Sequence, residues 1–136
     1  MAAKNLNATF TGTVTPFSGK GRALGYPTAN ISKDTELADG VYFGFANLAN
    51  FQDHPALIFI GTPTTVGDHD RRIEAHLLDI KDQDYYGLEL KLTLSHYSRP
   101  SQTFQSLAEL ITAMKNDEAT ARQWFDAQKS KQKITG

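Results

Sequence analysis

The segment LELKLTL (Leu88–Leu94) alternates apolar and polar residues without a break. A period of two marks a strand with one face in a core and one face toward water. Leu88, Leu90, Leu92 and Leu94 are therefore expected inward, with Glu89, Lys91 and Thr93 outward. Weaker forms of the pattern precede it. ATFTGTVT (Ala8–Thr15) is rich in Thr, Phe and Val, and GYPTANI (Gly25–Ile31) contains Pro27, which argues against a helix. VYFGFANLA (Val41–Ala49), PALIFIG (Pro55–Gly61) and IEAHLLDI (Ile73–Ile80) read as further strands. In the last of these, Ile73, Ala75 and Leu77 share one face, while Glu74, His76 and Leu78 share the other.

The period changes after Pro100. Ser106 followed by Glu109 has the form of a capping box ahead of Leu107, Leu110, Ile111 and Met114, a stripe expected to pack as core. Asn116 or Asp117 can cap a second helical stretch carrying Ala121, Trp124 and Phe125. Lys129–Gly136 reads as a frayed polar tail. About six strands in succession, with no helix between them, pair antiparallel and close most simply into a small barrel. One domain is expected over 1–136, with its core at about 8–126 and a polar tail at 127–136.

Composition narrows the function classes. Lys+Arg is 14 and Asp+Glu is 15, for a formal net charge of −1, so no nucleic-acid or membrane partner held by bulk charge is expected. The absence of cysteine excludes a disulfide framework, a thiolate zinc site and a thiol nucleophile, and makes the cytoplasm the expected compartment. No apolar run approaches the roughly 18 residues of a membrane span, and MAAKNLN at the start lacks the apolar stretch of a signal peptide.

Four groups of residues could carry chemistry. Gly19, Lys20, Gly21 and Arg22 combine glycine-freed backbone N–H groups with two cations, a cradle for an anion or else an ordinary hairpin. Thr28 and Asn30, two apart in an extended segment after Pro27, offer hard neutral oxygens to a phosphate-bound Mg²⁺, or bond their own backbone in a turn. Glu74 stands mid-strand, either accepting a proton from a substrate hydroxyl or lying on a solvated face. Arg99 and the Tyr85–Tyr86 pair flank the final strand and suit a phosphorylated planar heterocycle, or form a plain rim. His54, His69, His76 and His96 show no metal-ligand spacing.

Together these motifs resemble the riboflavin kinase (flavokinase) family. GTVTPFSGKGRALGYPTANI (Gly12–Ile31) is similar to its opening signature, Gly40-Val41-Tyr42 with Gly44 to its G-V-Y-x-G strand, and Asp84-Tyr85-Tyr86-Gly87 to its D-x-Y-G turn. Ile60-Gly61 followed by Glu74 in IEAHLLD resembles a further block. Arg99-Pro100, Phe104, Ser106-Leu107, Leu110-Ile111 and Asp117 resemble the closing pattern. The resemblance runs in order from about Phe10 to Ala121.

It implies a mainly β fold, a six-stranded antiparallel Greek-key barrel with a C-terminal α-helix. It implies transfer of the γ-phosphoryl group of ATP, as co-substrate, to the 5′-hydroxyl of riboflavin, giving FMN and ADP, by a monomer. Mg²⁺, or another divalent cation such as Zn²⁺ or Mn²⁺, would sit on Thr28 and Asn30. Gly19, Lys20, Gly21, Arg22, Thr28, Asp79 and Tyr85 would serve the nucleotide, Glu74 the catalysis, and Ser95 and Arg99 the flavin. The sequence departs from the family at Pro16-Phe17 and Pro63-Thr64. Those loops leave two alternatives: a flavin- or nucleotide-binding barrel without turnover, and the same kinase with another donor such as CTP. Nothing resembles an FMN adenylyltransferase module, so FAD synthesis is not expected of this chain.

Overall fold

The computed structural model describes residues 5–15, 29–31, 35–62, 71–80 and 85–135, with the side chains of 5–7 and 131–135 excepted. Among the described residues β1 (Asn5–Thr15), β2 (Ala29–Ile31), β3 (Gly40–Leu48), β4 (Phe51–Gly61), β5 (Arg72–Leu77) and β6 (Glu89–Pro100) precede the helix α1 (Leu107–Thr135). The strands form a closed barrel in the order β1-β2-β5-β4-β3-β6, and every pairing is antiparallel. Closure leaves the sheet without an open edge.

The alternation read from the sequence sorts the side chains. Ile58, Ile60, Ile73, Ala75, Leu77, Leu90, Leu92 and Leu94 fill the interior together with Val14, Ile31 and Tyr42. Leu88 does not join them. It is 42% exposed, in the turn that precedes β6, and Tyr85 fills the interior instead. Gly87, at φ 83°, makes that turn, and the Leu88 N–H donates to Tyr85 O at 3.2 Å.

β6 breaks the pattern twice, with register irregularities against β3 between Phe43/Gly44 and between Val41/Tyr42. The first leaves Ser95 as the extra residue between Leu94, opposite Gly44, and His96, opposite Phe43. A bulge shifts every later side chain to the other face. Hence His96 points out of the barrel while Tyr97 points in, edge-on to Tyr42 at 5.2 Å between ring centroids. The second irregularity returns Arg99 to the outer face, opposite Val41. Gly44 makes the first bulge possible, because a Cβ there would lie 2.0 Å from Thr93 O.

The helix covers part of the outer face. Ala121 and Phe125 are buried against Val41, Phe43 and Leu78, with Trp124, Phe45, Leu57 and Phe59 around them. His96 is sandwiched between Phe43 and Trp124, at 5.5 and 5.4 Å between ring centroids. Ser106 is the cap: its Oγ accepts the Glu109 N–H at 3.2 Å, while Glu109 Oε1 accepts the Gln105 N–H at 3.1 Å.

Three expectations for this region are corrected. α1 is a single helix of 29 residues, not two stretches. Asp117 therefore caps nothing; its carboxylate binds Arg99. The stripe at Leu107, Leu110, Ile111 and Met114 is not fully buried, and Leu107 is 50% exposed. The deeply buried helix residues lie two to three turns later, where the aromatic cluster is. The polar segment after Lys129 continues the helix to Thr135.

Candidate active site

β2 and β5 are neighbours in the barrel, and their register sets Asn30 directly opposite Glu74. Ala29 and Ile31 on one strand, and Ile73 and Ala75 on the other, belong to the interior. Asn30 and Glu74 therefore share the outer face, at the roughly 5 Å separation of a directly opposed pair. The row continues around the barrel in both directions. Thr15 lies opposite Asn30, Phe59 opposite Glu74, Val41 opposite Phe59, and Arg99 opposite Val41. One outward row thus crosses all six strands.

Asn30 is only 6% exposed, and its Oδ1 has no hydrogen-bond partner among the described residues. An amide oxygen buried without a partner is costly, and such an atom calls for a ligand. The donor is hard and neutral, of the kind Mg²⁺ accepts beside phosphate oxygens, so the residue fits the implied cation. Its backbone oxygen accepts the Thr15 hydroxyl at 3.4 Å. Among the described residues no three His, Asp or Glu side chains gather into a metal cluster.

Glu74 is neither core nor fully solvated, its side chain being 21% exposed. Arg72, two residues earlier and so on the same face, brings Nε to 3.7 Å from Glu74 Oε1. The Arg72 side chain is only 5% exposed. Nothing in the sequence reading singled out Arg72. The available signal was its place two before Glu74 on an alternating strand, obscured by its neighbour Arg71. Arg71 does something else: it clamps the 35–39 segment through Asp39 Oδ1, Thr35 O and Leu37 O at 2.6–2.7 Å.

Arg99 stands three strand spacings from Glu74 along the row, about 14 Å. Its Nε and Nη2 donate to the two oxygens of Asp117 at 2.8 Å each, and Nη1 donates to Pro100 O at 3.0 Å. The Phe104 ring lies 5.9 Å from the guanidinium carbon. The paired carboxylate holds the Arg99 guanidinium above its ordinary pKa, against the opposing effect of burial. The forked pair joins the end of β6 to the third turn of α1. Ser95 is the half-buried bulge residue of β6.

Asp79 lies beyond the far end of β5, five residues from Glu74 or about 16 Å along an extended chain. It adopts φ 62° and accepts both Nη groups of Arg122 on α1 at 2.8–3.0 Å. Hydrogen bonding to Arg122 holds its carboxyl below the usual value. Tyr85 packs in the barrel interior. Asn30 and Glu74 are thus brought together; Asp79, Tyr85 and Arg99 are placed elsewhere. Gly19, Lys20, Gly21, Arg22 and Thr28 lie outside the described residues, as do the Pro16-Phe17 and Pro63-Thr64 loops.

Residues 4–125 match the family described as Flavokinase: Riboflavin kinase. The chain belongs to the riboflavin kinase family. It is 38% identical over 120 residues to the trifunctional protein RibF/MnmA of Mycoplasmoides gallisepticum, covering 86% of this chain and 18% of that protein. It is 29% identical over 115 residues to riboflavin kinase of Mus musculus, covering 79% of this chain and 74% of the relative. The chain spans under a third of the length of two of the relatives it matches, 18% of the first and 30% of the Arabidopsis thaliana riboflavin kinase/FMN phosphatase. The crystal structure of riboflavin kinase from Trypanosoma brucei superposes with a TM-score of 0.66 at 23% identity, over 87% of this chain and 79% of that one. That likeness bears on the fold, a riboflavin kinase barrel with its C-terminal helix.

Proposed function

We propose that this chain is a riboflavin kinase, moving the γ-phosphoryl group of ATP to the 5′-hydroxyl of riboflavin. The observation that carries the proposal is the Asn30–Glu74 pair: a buried amide oxygen without a partner among the described residues, opposite a half-buried carboxylate, on the outer wall of a family barrel. Phosphoryl transfer asks little covalent help of a protein; it asks for alignment and charge neutralisation. The ribityl oxygen bonds to the γ-phosphorus, the bond from that phosphorus to the β,γ-bridging oxygen breaks, and ADP departs. Glu74 orients the attacking hydroxyl and takes its proton, late if the transition state is loose.

Asn30, with Thr28, would hold the divalent cation, Mg²⁺ or a similar ion. When bound, that ion neutralises charge on the phosphates. Gly19, Lys20, Gly21 and Arg22 would cover the phosphates with backbone N–H groups and two cations. Arg99 serves the flavin side indirectly, by fixing β6 to α1 through Asp117. Ser95 adjoins the same segment. Asp79 and Tyr85 shape the turns on either side of 81–84. The reading is completed by a cytoplasmic monomer acting on small molecules, and the balanced charge offers no electrostatic footing for a nucleic-acid partner. Among the described residues no helix is long and apolar enough to cross a membrane.

The test is direct. Riboflavin, ATP and Mg²⁺ are mixed with the protein and FMN is separated by chromatography. Glu74→Gln should lower kcat on the order of 10²-fold or more with riboflavin binding retained. Equal turnover by the variant would remove Glu74 from the mechanism. Binding of riboflavin without FMN formation by the unmodified protein would reject the kinase.

A further inference from the structure

Arg72 is a charged side chain on the outer wall of a barrel, yet it is only 4% exposed. A guanidinium stays protonated at any ordinary pH, so it cannot escape burial by losing its charge. Its burial has to be offset by neighbouring negative charge or hydrogen bonding. Glu74 Oε1, at 3.7 Å, contributes to that. The Nε–Oε1 separation exceeds hydrogen-bond length, and across it the two groups couple through charge. Both side chains leave the same face of β5, one on each side of the inward Ile73, which is fully buried. The strand therefore fixes their spacing.

Glutamate has three rotatable side-chain bonds, and on an outer strand face it would ordinarily sample several rotamers. A base that must meet one hydroxyl benefits from having that choice made beforehand. We propose that Arg72 is a positioning residue for the reaction: by its fixed charge it holds the Glu74 carboxylate in the orientation that receives the riboflavin hydroxyl. The inference rests on the kinase reading. It adds a basic partner to the acidic residue and touches no substrate.

The experiment compares steady-state FMN formation by the full chain with that of Arg72→Gln and Arg72→Lys, each also in a Glu74→Gln background. Arg72→Gln should lower kcat about tenfold and change the KM values for riboflavin and ATP less than about twofold. Arg72→Lys, which keeps the charge on an unforked side chain, should recover part of that loss, to within about threefold of the parent. Neither substitution should alter the residual rate of Glu74→Gln by more than about twofold, because the group they position is gone. If Arg72→Gln does not fold, Arg72→Lys carries the test. It should then cost about threefold in kcat with Glu74 present and nothing with Gln at that position.

Unchanged kcat in the variants of an active enzyme would overturn the inference alone. So would equal losses with and without Glu74, which mark a structural role. A raised KM for ATP at unchanged kcat would assign Arg72 to nucleotide binding and also overturn it. A parent protein that makes no FMN would instead bring down the kinase reading on which it rests.

Discussion

Gly44→Ala tests how the barrel places its aromatic face. The added Cβ would lie 2.0 Å from Thr93 O, 3.0 Å from Thr93 C and 3.1 Å from Leu94 Cα. A carbon and a carbonyl oxygen settle at about 3.3 Å or more, so β3 and β6 must separate locally by roughly 1.3 Å. All three atoms belong to the backbone, and no side-chain rotation relieves them. The separation falls at the bulge that turns His96 outward. Two ladder hydrogen bonds at about 1 kcal/mol each and an aromatic contact at about 1 kcal/mol are at stake, for a total of about 3 kcal/mol. For a domain of this size that corresponds to a fall in Tm of about 10 °C. Trp124 is the only tryptophan, and it stacks on His96. Its emission therefore reports the same event and should shift red. Gly12→Ala is the control. There the nearest atom is Ile31 Cβ at 3.2 Å, so a smaller fall is expected with unchanged emission. A Tm for Gly44→Ala within about 3 °C of the parent, with native Trp124 emission, would refute the reasoning.

Other perturbations probe separate parts of the molecule. Asp117→Ala leaves the three-quarters-buried Arg99 without its forked partner. It should cost about 2 kcal/mol in urea unfolding, between the values for exposed and buried pairs. Ala49 sits at φ 54° in the β3–β4 hairpin, a conformation costly for any residue with a Cβ, so Ala49→Gly should raise Tm by about 2–4 °C. Arg122 lowers the Asp79 pKa, so that pair adds stability above the unfolded-state value of 3.8 and loses it as pH falls through the folded-state value. Melting curves between about pH 5 and pH 2 should accordingly fall less steeply for Asp79→Asn than for the parent. The effect should be small, because the Asp79 side chain is 70% exposed.

Much of the barrel is legible as alternation. Ile73, Ala75 and Leu77, and Leu90, Leu92 and Leu94, point inward as their spacing requires. The failures have local causes. Leu88 continues the period of two in sequence, but it still belongs to the Gly87 turn, and the strand starts one residue later. Past Leu94 the alternation breaks at Ser95, whose bulge depends on the absence of a side chain on Gly44 in another strand. Asp117 has the chemistry of a helix cap, and only the fold shows Arg99 within reach. For the site, Glu74 and Asn30 could be nominated by residue type, but their pairing across 44 positions of chain is a property of strand order. Arg72 was missed because a buried guanidinium looks like any surface arginine until its neighbours are known.

Among the described residues β2 has three, the fewest of any strand, and pairs with β1 at two positions. It nonetheless completes the circle of strands, and its middle residue is Asn30. Whatever grips that amide oxygen also holds a strand on which the closure of the ring depends. Ligand occupancy and the integrity of the circle are then thermodynamically linked, so saturating the site strengthens the architecture at the strand that closes it.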